Sequence, residues 1–162
     1  MNSAKRSSAS STLASSVYFA ESTIELDVVR AWPLMLNYPA WNPAFVGGQV
    51  TRIRGRPSSE GELVLIKLRD SSGAWAPSFY AKTIKVTTHR HIVWDVYFAD
   101  GSAYHSFLDF GLNEIPHGLR FSICCYERNQ RHGLSLREHR KEYANSMHSL
   151  AAAFERYCKG HA

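Results

Sequence analysis

The sequence has no apolar run that approaches the roughly 18 residues of a membrane-spanning helix. Charged residues make up 20 % of the chain and hydrophobic residues 44 %, which is ordinary globular usage. Transmembrane, collagen-like and fully disordered classes are therefore excluded. A chain of 162 residues corresponds to one domain with a sizeable core. Its Phe, Tyr and Trp residues number 8, 8 and 4, more than a minimal core needs, and indicate a large apolar interior or a lined cavity.

Cysteine is also scarce, and its positions do not suit metal or redox chemistry. The three cysteines form no C-x-x-C motif, and Cys124 and Cys125 point to opposite faces of a predicted strand. The histidines lack the paired spacing of a zinc site, and Gly47-Gly48 is not a nucleotide-binding fingerprint. We therefore expect free thiols in a reducing compartment, the cytoplasm, with no metal and no organic cofactor.

A modest positive charge does not point to nucleic acid. The net charge is +5, and most of the basic residues are scattered along the chain. The one basic stretch, residues 128–141, is interspersed with glutamates and is typical of a solvated helix start. The many aromatic side chains instead favour an apolar interior as the functional part of the domain. We therefore expect no nucleic-acid partner and no stable membrane insertion.

The pattern divides the chain into a tail and a body. Residues 1–16 are rich in serine and predict a disordered tail; residues 17–162 form the domain. Residues 17–26 predict a first strand, and Asp27 can cap a helix over 28–36, although Pro33 should delay or bend it. A short second helix follows in the Pro-punctuated segment 38–43.

From Gly47 the pattern predicts six strands and then one long helix. The strands are expected near 48–56, 60–69, 77–87, 90–99, 103–111 and 117–127, with Asp100-Gly101 as a hairpin signal. The helix, over about 135–158, carries a stripe at three- and four-residue steps: His139, Tyr143, Met147, Leu150, Phe154 and Tyr157. A seven-stranded antiparallel sheet needs a cover for its apolar face, so we predict an α+β helix-grip fold with a cavity between sheet and helix.

This order of elements resembles the START-like SRPBCC superfamily, and most closely its polyketide cyclase/dehydrase and lipid-transport group. The segment Tyr38-Pro39-Ala40-Trp41-Asn42-Pro43 is similar to the "YPEWNP" stretch of many members. Val93-Trp94 and His105-Ser106-Phe107 match two further strand motifs, and the resemblance covers residues 17–158. Asp109 departs from it, because an apolar residue is usual there. The resemblance implies a cavity for a hydrophobic ligand, not one particular activity.

Candidate cavity residues follow from the face that each strand presents. We expect a pocket lined by Trp41, Tyr80, Trp94, Phe107, Phe121, Met147 and Leu150, together with Tyr143 of the helix. If His105 and Phe107 point inward, Asp109 does too, because side chains alternate with a period of two. The opposite register, with Tyr104, Ser106, Leu108 and Phe110 inward and His105 and Asp109 in solvent, is also open.

Two function classes follow. One is a cyclase, aromatase or dehydratase acting on a polyketide-like intermediate, with His105 or Asp109 as base and Tyr143 as acid. The other is a non-catalytic carrier that binds a hydrophobic molecule in the same pocket. The oligomeric state, monomer or homodimer, is left open by the sequence.

Overall fold

The computed structural model describes residues 16–43, 47–101, 105–128 and 136–162; for residues 16, 127–128 and 136–145 it describes the backbone alone. Strand β1 (Ser16–Ile24) is followed by helices α1 (Val28–Leu36) and α2 (Tyr38–Trp41). Six strands come next: β2 (Gln49–Arg54), β3 (Leu63–Arg69), β4 (Trp75–Thr87), β5 (His91–Phe98), β6 (His105–Ile115) and β7 (Gly118–Arg128). Helix α3 (Leu136–Lys159) completes the order. The tail predicted over 1–16 lies, apart from Ser16, outside the described residues.

The seven strands form one antiparallel sheet in the order β1-β7-β6-β5-β4-β3-β2. Its inner face is apolar and carries, among others, Ile66, Ile92, Phe110, Phe121 and Ile123, which are almost completely buried. Helix α3 lies across this face on β1 and β7. The predicted α+β helix-grip architecture is thus confirmed.

Within the described residues, helix α3 is held to the sheet by its apolar stripe and by a hydrogen bond from β1. The predicted members Met147, Leu150 and Phe154 are buried against the sheet. The Ser22 hydroxyl on β1 donates to the Ala151 carbonyl of the helix over 3.1 Å. No helix within the described residues is long and apolar enough to cross a membrane.

Helix α1 begins where the sequence indicates. The Asp27 side chain accepts a hydrogen bond from the Arg30 backbone N–H over 2.9 Å and so caps the first turn. Pro33 stands inside the helix without delaying its start. The helix is amphipathic and buries Ala31, Trp32 and Met35.

Two β-bulges in β4 decide on which face of the sheet each of its side chains lies. The pairing with β3 shifts by one residue near Ser78, and the pairing with β5 shifts at Ile84. Each bulge bends the strand and reverses the alternation of its side chains beyond that point. Val86, which follows the second bulge, therefore points toward the core. Tyr80 precedes this bulge, so although it lies six residues from Val86 it points to the outer face.

Candidate functional site

The described residues enclose a cavity of about 340 Å³ between the α1–α2 junction and strands β2 to β5. Helix residues close one side, the inner faces of the strands form the floor, and the turn before β3 forms the rim. The lining residues are Leu36, Asn37, Tyr38, Pro39, Val50, Arg52, Pro57, Ser58, Glu62, Val64, Ala81, Thr83, Ile92 and Trp94. The volume falls in the range of small-molecule sites.

Two aromatic rings form the inner end of this pocket. The rings of Tyr38 and Trp94 have centroids 5.0 Å apart and are tilted by 60°. The rings of Trp94 and Phe110 pack edge to face, with their centroids 5.0 Å apart. Behind this pair an apolar crevice of about 10 Å³ reaches Val96 and Leu108, which is room for about one water molecule. The Tyr38–Trp94 pair therefore sets the depth of the pocket.

The rim carries an ion pair that is anchored by the backbone. One Glu62 oxygen accepts from Arg52 Nε over 3.0 Å, and the other accepts from the Ser58 N–H over 2.6 Å. The backbone N–H of Thr83 donates to the Glu62 carbonyl over 2.9 Å. Gly55 permits this turn, because a Cβ at that position would lie 2.6 Å from the Glu62 Cα. The Glu62 side chain is consequently fixed at the rim with 12 % of its surface exposed.

The Tyr38 hydroxyl is a neutral donor at physiological pH. Burial raises its pKa well above the ordinary value of a phenol, and the negative charge of Glu62 adds to the shift. Thr83, which also lines the pocket, is 2 % exposed. The pocket places the Trp94 side chain beside a neutral phenol, a combination suited to an apolar ligand with an acceptor group.

Trp94 alone among the predicted lining residues with described side chains reaches this pocket. Trp41 is a core residue: its indole N–H donates to the Met35 carbonyl over 3.2 Å, and its ring packs on Phe154. Phe121, Met147 and Leu150 are also packed into the core. These four residues were expected to line a cavity, but the side chains around them fill that space.

The predicted inward position of His105, Phe107 and Asp109 is wrong. On β6 the inner face carries Leu108 and Phe110, which pack into the core opposite Trp94 and Ile92 of β5. The odd-numbered residues therefore lie on the outer face, and a ligand in the pocket is separated from them by the sheet.

On the outer face both predicted catalytic residues of β6, His105 and Asp109, have partners. His105 Nδ1 lies 2.9 Å from Asp95 Oδ1, and His91 Nδ1 lies 3.5 Å from Asp109 Oδ1. Tyr80 was also expected in the pocket, and this too is wrong, because its ring stacks on Tyr97 of the outer face at 5.4 Å. Partners across the strands explain why polar groups are retained in the middle of a sheet.

Tyr143, the predicted acid, belongs to α3, but its side chain lies outside the described residues. Among the described residues no group of three or more histidines, cysteines or carboxylates could hold a metal ion. Cys125 is buried on the inner face beside the Ser106 hydroxyl, 3.1 Å from its sulfur. Burial raises the pKa of Cys158 to about 12, so this thiol is not a nucleophile at neutral pH.

The pocket's polar residues Tyr38, Arg52, Glu62 and Thr83 were not among the candidates from sequence. Tyr38 had a detectable signal, because it opens the Pro-punctuated segment that carries the family resemblance. Glu62 had none, since a single acid after a turn fits a solvated loop equally well. Its position depends on the pairing of β3 with β4, which brings Val64 opposite Ala81.

No family model and no curated protein sequence matches the chain. Solved structures do. The crystal structure of Ara h 8.0201 superimposes with a TM-score of 0.68 at 10 % identity, covering 91 % of this chain and 99 % of that one.

Two di-domain ARO/CYC proteins of biosynthetic pathways are also similar. StfQ, from the steffimycin pathway, gives a TM-score of 0.65 at 9 % identity, and BexL, from the BE-7585A pathway, gives 0.63 at 14 %. Each match covers 91 % of this chain and about half of the di-domain protein, 52 % for StfQ and 50 % for BexL. Likeness at such low identity concerns the fold alone. The chain has the helix-grip fold of these structures, as the sequence predicts.

Proposed function

We propose that the protein binds a small hydrophobic molecule, flat or aromatic in part and bearing a hydrogen-bond acceptor, in the pocket between α1–α2 and strands β2 to β5. One observation carries the proposal: Trp94 and Tyr38, whose phenol is neutral, line the same cavity of about 340 Å³. Apolar surface supplies affinity and a single donor supplies orientation.

Exposed apolar surface at the mouth supports the same proposal. Val50 on the edge strand β2 lines the pocket with 40 % of its surface exposed. A ligand that covered Val50 would remove this surface from water and gain roughly 25 cal/mol for each Å² buried. Free thiols at all three cysteines fit a reducing compartment, and we extend the proposal to action in the cytoplasm.

The binding proposal is tested with N-phenyl-1-naphthylamine, an uncharged dye whose fluorescence rises in apolar sites. We expect saturable binding to the native protein. Tyr38→Phe should weaken a ligand that accepts the phenol's hydrogen bond, and Trp94→Leu should weaken dye binding at least fivefold through lost ring contact. His105→Ala is the control, because that residue lies behind the sheet. If the dye affinity is unchanged by Trp94→Leu, or is lowered equally by His105→Ala, the binding site lies elsewhere.

A second candidate is acid/base catalysis of the cyclase, aromatase or dehydratase type. The candidate group is the Tyr38 phenol, which lines the pocket and which burial keeps protonated at neutral pH. Such a phenol could protonate a leaving hydroxyl or stabilise an enolate without a metal. It would take the role that the sequence assigned to Tyr143.

Tyr38→Phe separates the two candidates when a polyketide-like β-ketone substrate is assayed. Loss of a general acid typically lowers turnover 10² to 10⁴-fold, whereas loss of one ligand hydrogen bond lowers affinity roughly tenfold. Turnover at the background rate in the unmodified protein would leave binding as the function. Turnover that survives in Tyr38→Phe would remove the phenol from catalysis.

A further inference from the structure

The Glu62 carboxylate places a fixed negative charge at the side of the pocket. Both of its oxygens are held, one by Arg52 Nε and the other by the Ser58 N–H. The side chain therefore cannot swing away when a ligand arrives, and with 12 % exposure it is only slightly screened by water.

Arg52 compensates that charge incompletely. Its side chain is 46 % exposed, so much of its positive charge is solvated and screened. Glu62 and Tyr38 both line the pocket, and the negative charge of Glu62 adds to the rise in the pKa of Tyr38 that burial mainly causes. A ligand group that accepts a hydrogen bond from Tyr38 therefore sits within the field of a carboxylate.

We propose that this pocket selects uncharged acceptor groups, such as ketone, aldehyde or ester carbonyls, over carboxylates of the same size, with Glu62 as the selecting residue and Arg52 as its partial counterweight. The inference rests on the proposed binding function, since it names the ligand class for the same site. A neutral carbonyl can take the Tyr38 hydrogen bond without charge repulsion, whereas a carboxylate in the same place meets Glu62.

The test uses a matched pair of ligands, methyl 2-naphthoate and 2-naphthoate, as competitors of N-phenyl-1-naphthylamine at pH 7.5. The ring system is the same, and only the acid is charged. Because the ester is also more apolar, the informative quantity is the change in the ester-to-acid affinity ratio between variants. We expect Glu62→Gln, which keeps size and an acceptor oxygen, to lower this ratio at least fivefold. Arg52→Gln should raise it at least threefold.

Each variant has a control with the same change of net charge. Glu60→Gln removes an exposed acid two residues away that bonds the Val86 N–H instead. Arg54→Gln removes a basic residue on β2 that pairs opposite Leu63 on the outer face. Neither should move the ratio by more than about twofold.

The possible results distinguish a failure of the selectivity from a failure of the proposed binding function. If neither ester nor dye binds, the proposed function fails. If both bind but the ratio is the same in Glu62→Gln and in the unmodified protein, or shifts equally in Glu60→Gln, the selectivity is overturned while binding stands. An acid that binds tighter than the ester also overturns it, since Arg52 would then attract anions. If Glu62→Gln does not fold, Arg52→Gln provides the test. An ester-to-acid affinity ratio that does not rise in that variant overturns the selectivity.

Discussion

Phe154 is the most completely buried of the described α3 side chains, and its truncation tests how the helix packs on the sheet and on α2. Its ring centroid lies 4.4 Å from Phe121 of β7 and 4.8 Å from Trp41 of α2, and it has no exposed surface. Phe154→Ala leaves a cavity bounded by rings on two other elements. Because these rings are themselves buried, the cavity cannot collapse fully.

The expected cost is large relative to the stability of a domain. Truncation of a buried phenylalanine costs about 3 to 5 kcal/mol, and we expect about 4 kcal/mol for Phe154→Ala since its surroundings cannot relax. For a chain of this length each kcal/mol corresponds to roughly 2 to 4 °C. The melting temperature should therefore fall by roughly 8 to 16 °C.

Urea unfolding followed by tryptophan fluorescence measures the effect, with Phe19→Ala as the matched control. Phe19 is 56 % exposed on β1, so the same truncation there should change the free energy of unfolding by less than about 0.5 kcal/mol. If the losses in the free energy of unfolding differ by less than about 1 kcal/mol between the two variants, α3 does not pack on the sheet and on α2 as described.

Two further predictions concern the backbone and the thiols. Gly118 begins β7 with φ 137°, and a Cβ there would collide with the Ile24 carbonyl; Gly118→Ala should lower the melting temperature more than Gly101→Ala, whose φ is 79° but whose Cβ would meet no atom within 4 Å. Equal losses would show that φ alone decides the cost. For Cys158, whose pKa burial raises to about 12 from 9.0, the native state keeps its proton while the unfolded chain loses it. This contribution to stability is complete below pH 9 and is lost as pH rises toward 12. Between pH 8.5 and 10.5 the free energy of unfolding should therefore fall by about 2 kcal/mol more in the unmodified protein than in Cys158→Ala, and parallel losses would contradict the shift.

The strand pattern was sufficient to predict the sheet. Strands β3, β5 and β7 lie within two or three residues of their expected bounds, since each is a long alternating run between clear turn signals. The apolar stripe of α3 predicted its buried face for Met147, Leu150 and Phe154. Local periodicity carries this information, because a buried face repeats every two residues in a strand and every three or four in a helix.

The site was predicted less well, for two physical reasons. On β6 both faces carry large apolar side chains, Phe107 outward and Phe110 inward, so alternation alone does not decide which set is buried. On β4 the bulge at Ile84 reverses the phase, so that counting back from Val86 in steps of two assigns Tyr80 to the wrong face. Bulges and cross-strand partners are properties of the pairing of strands, which the periodicity of one strand does not contain.

The position of the pocket follows from the widths of the sheet and the helix. Seven strands spaced by about 4.8 Å make a sheet about 29 Å across, whereas a helix with its side chains is about 10 Å wide. One helix can therefore cover two or three strands, and α3 covers β1 and β7. The apolar inner face from β2 to β5 needs another cover, and α1 and α2 reach only part of it. The 340 Å³ beside Tyr38 and Trp94 is the part that these helices leave open, so a bound apolar molecule there would complete the cover of the sheet.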